Sequence, residues 1–162
     1  MFFEFDKVAY YKTPIGIARI VGDENGISSV SVVDGEQETS DVIPEPLQEC
    51  VRQLEEYFNK ERKTFSLKLN PEGTDFQKHV WEELQQIPYG EKRSYMRQAE
   101  KMGDPKAIRA VANANAKNPL WIVVPCHRII GSDGSLTGYA GGLWRKRWLL
   151  EHENPPKQQS LF

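Results

Sequence analysis

The sequence predicts an α+β fold: an N-terminal antiparallel sheet with a covering helix, then a mostly helical C-terminal domain containing a helix-turn-helix. Two observations carry this. Apolar residues alternate or run in short stretches up to about residue 70, and from there they recur at helical spacing. Between the two regimes stands Asn70-Pro71-Glu72-Gly73, a turn-forming run that marks a domain boundary. The division is therefore a first domain over 1–72, a second over 73–153 and a tail over 154–162.

In the first domain, Phe2–Phe5, Val8–Lys12, Ile15–Val21 and Ile27–Val33 are separated by turn signals at Thr13-Pro14, Gly22–Gly26 and Asp34-Gly35, the pattern of an antiparallel meander. Glu36–Pro46 is a polar loop. Leu47, Cys50, Val51, Leu54, Tyr57 and Phe58 then fall at helical spacing and predict a helix over the sheet, with Cys50 in the core. Phe65–Leu69 alternates strictly, which predicts a further strand.

In the second domain, Thr74 and Gln77 form a capping box that opens a helix with Phe76, Val80, Leu84 and Ile87 on its apolar face. Pro88 to Gly90 stop it. His79 lies off that face and is given no role. Ser94 caps a short helix over Tyr95–Met102, ended by Gly103; Asp104 and Pro105 open another that runs to about Ala116. Two helices joined by so short a glycine-containing link form a helix-turn-helix. On the second helix, Ile108, Val111, Ala112 and Asn115 share one side. Lys106, Arg109, Asn113 and Lys117 share the other, with Ala110 and Ala114 beside them. Cations with small neighbours let a backbone approach a nucleic acid groove. Asn118-Pro119 ends this helix, and Leu120–Val124 is an apolar extended run. A last helix covers Leu143 to about Glu153, with Trp144, Trp148 and Leu149 for packing.

Charge divides the chain as periodicity does. Residues 1–70 hold 8 Lys and Arg against 13 Asp and Glu, a balance of −5, whereas Lys92 to Trp148 hold 11 basic residues against 3 acidic ones, a balance of +8. An anionic partner for the C-terminal part follows. No apolar run is long enough for a membrane span, and the N-terminus lacks a signal-peptide pattern. Two cysteines make no disulfide framework, so the expectation is a reducing cytoplasm.

The chemistry concentrates at Pro125-Cys126-His127-Arg128. A thiolate is a strong nucleophile, and a neighbouring imidazole or guanidinium favours that form. Adjacent residues of an extended chain point to opposite sides, so His127 is expected to reach the thiol through a water. Glu153, at the end of the last helix, is placed to orient His127. The glycine-rich stretches Gly131–Gly134 and Gly138–Gly142 supply backbone that wraps closely around a flat ligand. These residues mark a reactive thiol; a Cys–His hydrolase, and a binding protein in which Cys126 is incidental, stand as alternatives to whatever chemistry that thiol performs.

The constellation resembles the O6-alkylguanine-DNA alkyltransferase family, nearly continuously from Phe76 to Glu153. The signature is Asn118-Pro119, then Ile122-x-x-Pro125-Cys126-His127-Arg128, then Gly134-x-Leu136-x-Gly138-Tyr139-x-Gly141-Gly142-Leu143. The resemblance implies a repair protein that extrudes an alkylated guanine from double-stranded DNA, because a stacked base keeps its O6 substituent from a buried thiol. It implies Cys126 as the alkyl acceptor in a single-turnover reaction on O6-alkylguanine, with O4-alkylthymine as a second substrate. It also implies His127 as a water-mediated base oriented by Glu153, and Tyr95 as the residue that neutralises the leaving guanine. Arg109 is the finger that fills the gap left by the base, with Lys106, Asn113 and Arg128 as further DNA contacts. Asn118, Tyr139, Ala140 and Gly141 line the base pocket. The recognition helix of this family enters the minor groove. Ala112 stands where the family usually has glycine, and the metal-binding residues of some relatives have no match in 1–70. No metal and no cofactor are expected, and a monomer in solution is.

The tail ends in Gln158-x-Ser160-Leu161-Phe162, which resembles the short peptide by which bacterial repair and replication proteins dock on the sliding clamp. Gln158, Leu161 and Phe162 are its candidate anchors, on a polar, proline-containing linker that supplies reach.

Overall fold

A computed structural model describes residues 6–136, 138–139 and 141–155. Strands β1 (Lys7–Thr13), β2 (Gly16–Asp23) and β3 (Gly26–Val33) form the expected antiparallel meander in that order. Thr13 makes the first turn: its hydroxyl donates to Gly16 O at 2.6 Å and accepts from Ile15 N at 3.1 Å. Ala9, Ala18, Ile20, Ile27 and Val30 point inward. Helix α1 (Glu45–Phe58) covers that face with Leu47, Cys50, Leu54, Tyr57 and Phe58, the residues whose spacing predicted it. The segment Phe2–Phe5 lies outside the described residues.

Phe65–Leu69 is not a strand. Only Leu69 bridges to Ile27, where Ile27 N donates to Lys68 O and Asn70 N to Ile27 O, both at 2.8 Å. The edge of β3 is shared: farther along, Val30 N donates to Pro119 O at 2.8 Å and Trp121 N to Val30 O at 2.9 Å. Each passing segment finds too short a stretch of edge for a ladder. The alternation in Phe65–Leu69 records instead which side chains lean on the core, Phe65, Leu67 and Leu69 all being partly buried against it.

Helix α2 (Asp75–Leu84) opens on the predicted capping box, with Thr74 Oγ1 accepting from Gln77 N at 3.1 Å and Gln77 Oε1 accepting from Thr74 N at 3.0 Å. Val80, Leu84 and Ile87 are buried as expected, but Phe76 is 41% exposed and Trp81 takes its place at 3%. The reason lies across the fold: Trp81 Nε1 donates to Ala114 O at 2.9 Å, so the next helix approaches α2 on the Trp81 side. Gly73 makes room, since a Cβ there would stand 2.6 Å from the indole.

Strand β4 (Arg93–Ser94) leads directly into α3 (Tyr95–Lys101), where Ser94 Oγ accepts from Arg97 N at 3.0 Å. Asp104 caps a single 3-10 turn, Pro105–Ala107, before α4 (Ile108–Ala116). The two helices are clasped by reciprocal amide bonds inside the core: Gln98 Nε2 to Asn115 Oδ1 at 3.1 Å and Asn115 Nδ2 to Gln98 Oε1 at 2.8 Å. Ala114 belongs to this buried side rather than to the cationic one, because α2 covers it.

Leu120–Val124 turns rather than extends: Val124 N donates to Leu120 O at 2.9 Å, and Ile122 has φ +70°. The 3-10 turn Cys126–Arg128 follows, then β5 (Ile129–Ile130), which pairs in parallel with β4. Helix α5 (Leu143–Glu153) buries Leu149, while Trp148 stacks on His152 at 4.8 Å between ring centroids. Trp144, expected to pack, is 57% exposed, with the Arg145 guanidinium over its ring at 4.5 Å. No described helix is long and apolar enough to cross a membrane.

The Gln98–Asn115 clasp yields a stability prediction. Gln98→Ala leaves the Asn115 amide buried and unsatisfied, at a cost of about 1–3 kcal/mol. A lowered midpoint in equilibrium denaturant unfolding, with an unchanged slope, is the expected result.

Candidate active site

The loop before Cys126 is held by one side chain. Asn118 Oδ1 accepts from Leu120 N at 2.9 Å, and its Nδ2 donates to Val124 O at 2.9 Å, so both ends of the turn are pinned. Between them Ile122 adopts a left-handed conformation, costly for a β-branched residue and sustained only where the surroundings impose it. The loop delivers Cys126 to the start of the 3-10 turn, where the thiol keeps partial access while His127 and Arg128 swing into the interior. Pairing of β5 with β4 brings Tyr95, the first residue of α3, to the same place.

Cys126 lies on the wall of a cavity of about 220 Å³, together with Tyr95, Asn118, Trp121, Tyr139 and Gly141. This is below the roughly 300–1,000 Å³ of sites for drug-sized ligands and suits a single flat heterocycle. Val30, Ser31 and Val32 of β3 close one side, so the N-terminal sheet is part of the site. A more open depression of about 910 Å³ lies between the sheet and the start of α1, with neither cysteine nor histidine among its lining residues.

Three buried polar atoms have no hydrogen-bond partner among the described residues: Trp121 Nε1, Tyr139 OH and His127 Nδ1. Two of these belong to residues lining the cavity, and the third belongs to the neighbour of the thiol. Trp121 and Tyr139 are nonetheless close enough for the indole to act on the hydroxyl, so both present polar atoms at the cavity wall. Burial, with the nearby Cys126, pushes the Tyr139 hydroxyl well above its usual range and keeps it a proton donor.

Burial also raises the Cys126 thiol, against which the Asn118 side-chain hydrogen bond and the charge of Lys146 act. The thiol is therefore protonated near neutrality and needs a base. Cys50, in the apolar core, is pushed up to about 12 and is inert.

The residue after the thiol is part of a buried ion-pair cluster. His127 is fully buried, with Nε2 2.6 Å from Glu153 Oε2. Arg128 grips the same carboxylate through Nε to Oε1 at 2.7 Å and Nη2 to Oε2 at 3.0 Å, and its Nη1 donates to Ile87 O at 2.7 Å. Burial works to raise the Glu153 carboxyl, but the hydrogen bonds and charges of His127 and Arg128 prevail and hold it far below the carboxylate range. Burial lowers His127 even though Glu153 pulls the other way. A neutral imidazole facing an ionised carboxylate must donate from Nε2, which leaves the Nδ1 lone pair free to accept a proton.

Of the sequence-predicted residues, Cys126, Tyr95, Asn118, Tyr139 and Gly141 meet at the cavity, and His127 and Glu153 pair behind it. Lys106, Arg109 and Asn113 lie exposed along one side of α4 and its leading turn. Ala140 lies outside the described residues. Arg128 is corrected: it is 6% exposed and committed to Glu153 and Ile87, so it is unavailable to DNA. Trp121 and Lys146 were not singled out by the sequence reading, which placed Tyr57 only as a core residue of α1. Lys146 had a legible sign, since it sits three residues before Leu149 on the stripe that also carries Glu153. It is 1% exposed, with Nζ 5.9 Å from the Tyr95 ring centroid.

Comparison with known proteins gives two family matches. Residues 75–155 match the DNA binding domain of 6-O-methylguanine DNA methyltransferase, and residues 7–71 match the ribonuclease-like domain of the same family. A methylated-DNA–protein-cysteine methyltransferase of Methanosarcina acetivorans is 47% identical over 152 residues, covering 90% of this chain and 96% of that protein. The crystal structure of Mycobacterium tuberculosis O6-methylguanine methyltransferase superposes with a TM-score of 0.83 at 41% identity, covering 96% of this chain and 97% of that one. A structure of the M. tuberculosis protein in complex with DNA gives 0.81 at 42% identity, over 90% and 91% of the two chains.

The raised thiol predicts how Cys126 reacts with a small electrophile. Its rate with iodoacetamide should climb with pH through a range above that of free cysteine, and Asn118→Ala should move the curve higher still. Peptide mapping should find Cys50 unlabelled in the native protein.

Proposed function

The chain belongs to the 6-O-methylguanine DNA methyltransferase family, and on that premise we propose that Cys126 is the residue that accepts the alkyl group. The reaction is direct-reversal DNA repair, moving the alkyl group of O6-alkylguanine to an active-site cysteine. The observation that carries the residue assignment is the partly accessible thiol at a base-sized cavity, backed by a buried His127–Glu153 pair. The hydrolase alternative gives way with the family assignment.

The geometry supports the following steps. A water takes the Cys126 proton and passes one to His127 Nδ1, and Glu153 stabilises the imidazolium through Nε2. The thiolate attacks the alkyl carbon in line with the O6–carbon bond, so that the S–C bond forms as the C–O bond breaks. The electron pair stays with guanine, which regains a proton in becoming an ordinary base. Tyr95 and Tyr139 supply hydroxyl groups at the cavity wall to neutralise that leaving group, and Trp121 adds an indole N–H. A thioether is not hydrolysed, so each molecule acts once.

Extrusion of the base brings α4 to the DNA, with Arg109 filling the vacated stack and Lys106 and Asn113 holding the backbone in the minor groove. O4-alkylthymine presents a comparable alkyl ether and is a second substrate. The chain acts as a monomer without cofactor or metal, in a cytoplasm that keeps Cys126 reduced. The two matches, 7–71 and 75–155, support a division near residue 72. The segment 156–162, with Gln158, Leu161 and Phe162, lies outside the described residues; its sequence supports docking on a sliding clamp.

Intact-mass spectrometry with a duplex carrying O6-methylguanine tests the acceptor: one methyl group is expected on wild type, mapped to Cys126, and none on Cys126→Ser. Methylation of the serine variant would move the acceptor elsewhere. For the tail, titration of the clamp should show binding by the 154–162 peptide that Leu161→Ala/Phe162→Ala abolishes. Equal binding by both, or by neither, ends the clamp assignment.

A further inference from the structure

The buried relay behind Cys126 has a member from the N-terminal half of the chain. Tyr57, in the last turn of α1, is fully buried, and its hydroxyl donates to Glu153 Oε2 at 2.6 Å. That oxygen also meets His127 Nε2 at 2.6 Å and Arg128 Nη2 at 3.0 Å. We propose that Tyr57 is a positioning residue for alkyl transfer, setting the Glu153 carboxylate and through it the orientation and proton affinity of His127. The proposal rests on the assignment of Cys126 as acceptor.

Packing alone does not account for the hydroxyl. The Tyr57 ring lies 5.3 Å from Phe58, 5.6 Å from Phe65 and 6.1 Å from Tyr89 between centroids, contacts that a phenylalanine would make equally well. A hydroxyl taken out of water costs free energy unless it finds a partner, and the partner here is the carboxylate that His127 uses. Burial and the Glu153 charge keep the phenol far above its usual range, so it serves as a fixed donor. The backbone of Tyr57 contributes as well, its carbonyl lying 2.9 Å from His152 Nε2, so α1 holds the end of α5 at two points.

The consequence for chemistry is a matter of shared charge. Each donor on Oε2 draws negative charge from it, and a carboxylate with less free charge stabilises an imidazolium less. Tyr57 therefore keeps His127 from holding its proton too tightly. The other charged and titratable groups around the pair act in the same setting: Arg128 and Lys146 oppose charging of His127, while Tyr89 and His152 face the Tyr57 ring. Removing the hydroxyl makes Glu153 a stronger partner for the imidazolium, and His127 then stays protonated to higher pH.

The experiment is single-turnover methyl transfer from an O6-methylguanine duplex, followed across pH for wild type and Tyr57→Phe, with thermal melting and intact mass in parallel. The acid limb of the rate profile should move upward by roughly half a pH unit or more, and the plateau should fall about tenfold, as for other residues that orient a reacting group. A wild-type profile in Tyr57→Phe overturns the proposal, whether or not melting changes. Should that variant not fold, 3-fluorotyrosine placed at position 57 alone keeps the ring and strengthens the donor. It should move the limb to lower pH, and an unmoved limb overturns the proposal. Methylation of Cys126→Ser would instead mark failure of the acceptor assignment.

Discussion

The active site depends on one carboxylate taken out of water. Glu153 ends α5 at 7% exposure, and its two oxygens gather donors from three parts of the chain: Tyr57 from α1, His127 and Arg128 from the turn that starts at Cys126, and the Gly90 amide at 3.4 Å. A buried charge is tolerable only when it is paired and fully hydrogen-bonded, and breaking such a cluster by deleting one partner costs about 3–5 kcal/mol. The cluster is thus a strong constraint on how α1, α5 and the Cys126 turn sit together. It is also what fixes the tautomer of the base, so the group that organises the fold at this point also prepares the chemistry.

A second set of contacts binds the N-terminal sheet to the site. Arg145, 7% exposed, donates from Nε to Ile15 O at 2.7 Å and from Nη1 to Gly141 O at 2.8 Å, and pairs with Asp34 at 3.1 Å. The loop carrying Tyr139 is therefore tied to the β1–β2 turn and to the residue just after β3, which lie together at one end of the sheet. With β3 lining the cavity and sharing its edge with Pro119–Trp121, the first half of the chain is a wall and a brace for the second.

These contacts change the meaning of the charge balance. The basic stretch from Lys92 to Trp148 owes Arg128, Arg145 and Lys146 to the interior, where they satisfy a carboxylate, backbone carbonyls and the surroundings of the thiol. What faces solvent on α4 and its leading turn is a smaller group, chiefly Lys106 and Arg109. Composition counts charges without knowing which are covered, so it overstates the basic surface while still indicating the anionic partner.

The sequence by itself determined the features that depend on neighbours along the chain. The meander, the capping box at Thr74 and the short helices after Ser94 and Asp104 are all set by turn chemistry and periodicity over a few residues. Tertiary structure decided what depends on the distant partner that arrives. Trp81 rather than Phe76 is buried because α4 comes from that side, and Phe65–Leu69 forms no strand because β3 shares its edge. Arg128 turns inward, and the hydroxyl of Tyr57 acquires a role, because Glu153, 25 and 96 residues away in sequence, lies within hydrogen-bond reach of both. Periodicity shows that a side chain faces inward, whereas what it meets there is settled only when the rest of the chain closes over it.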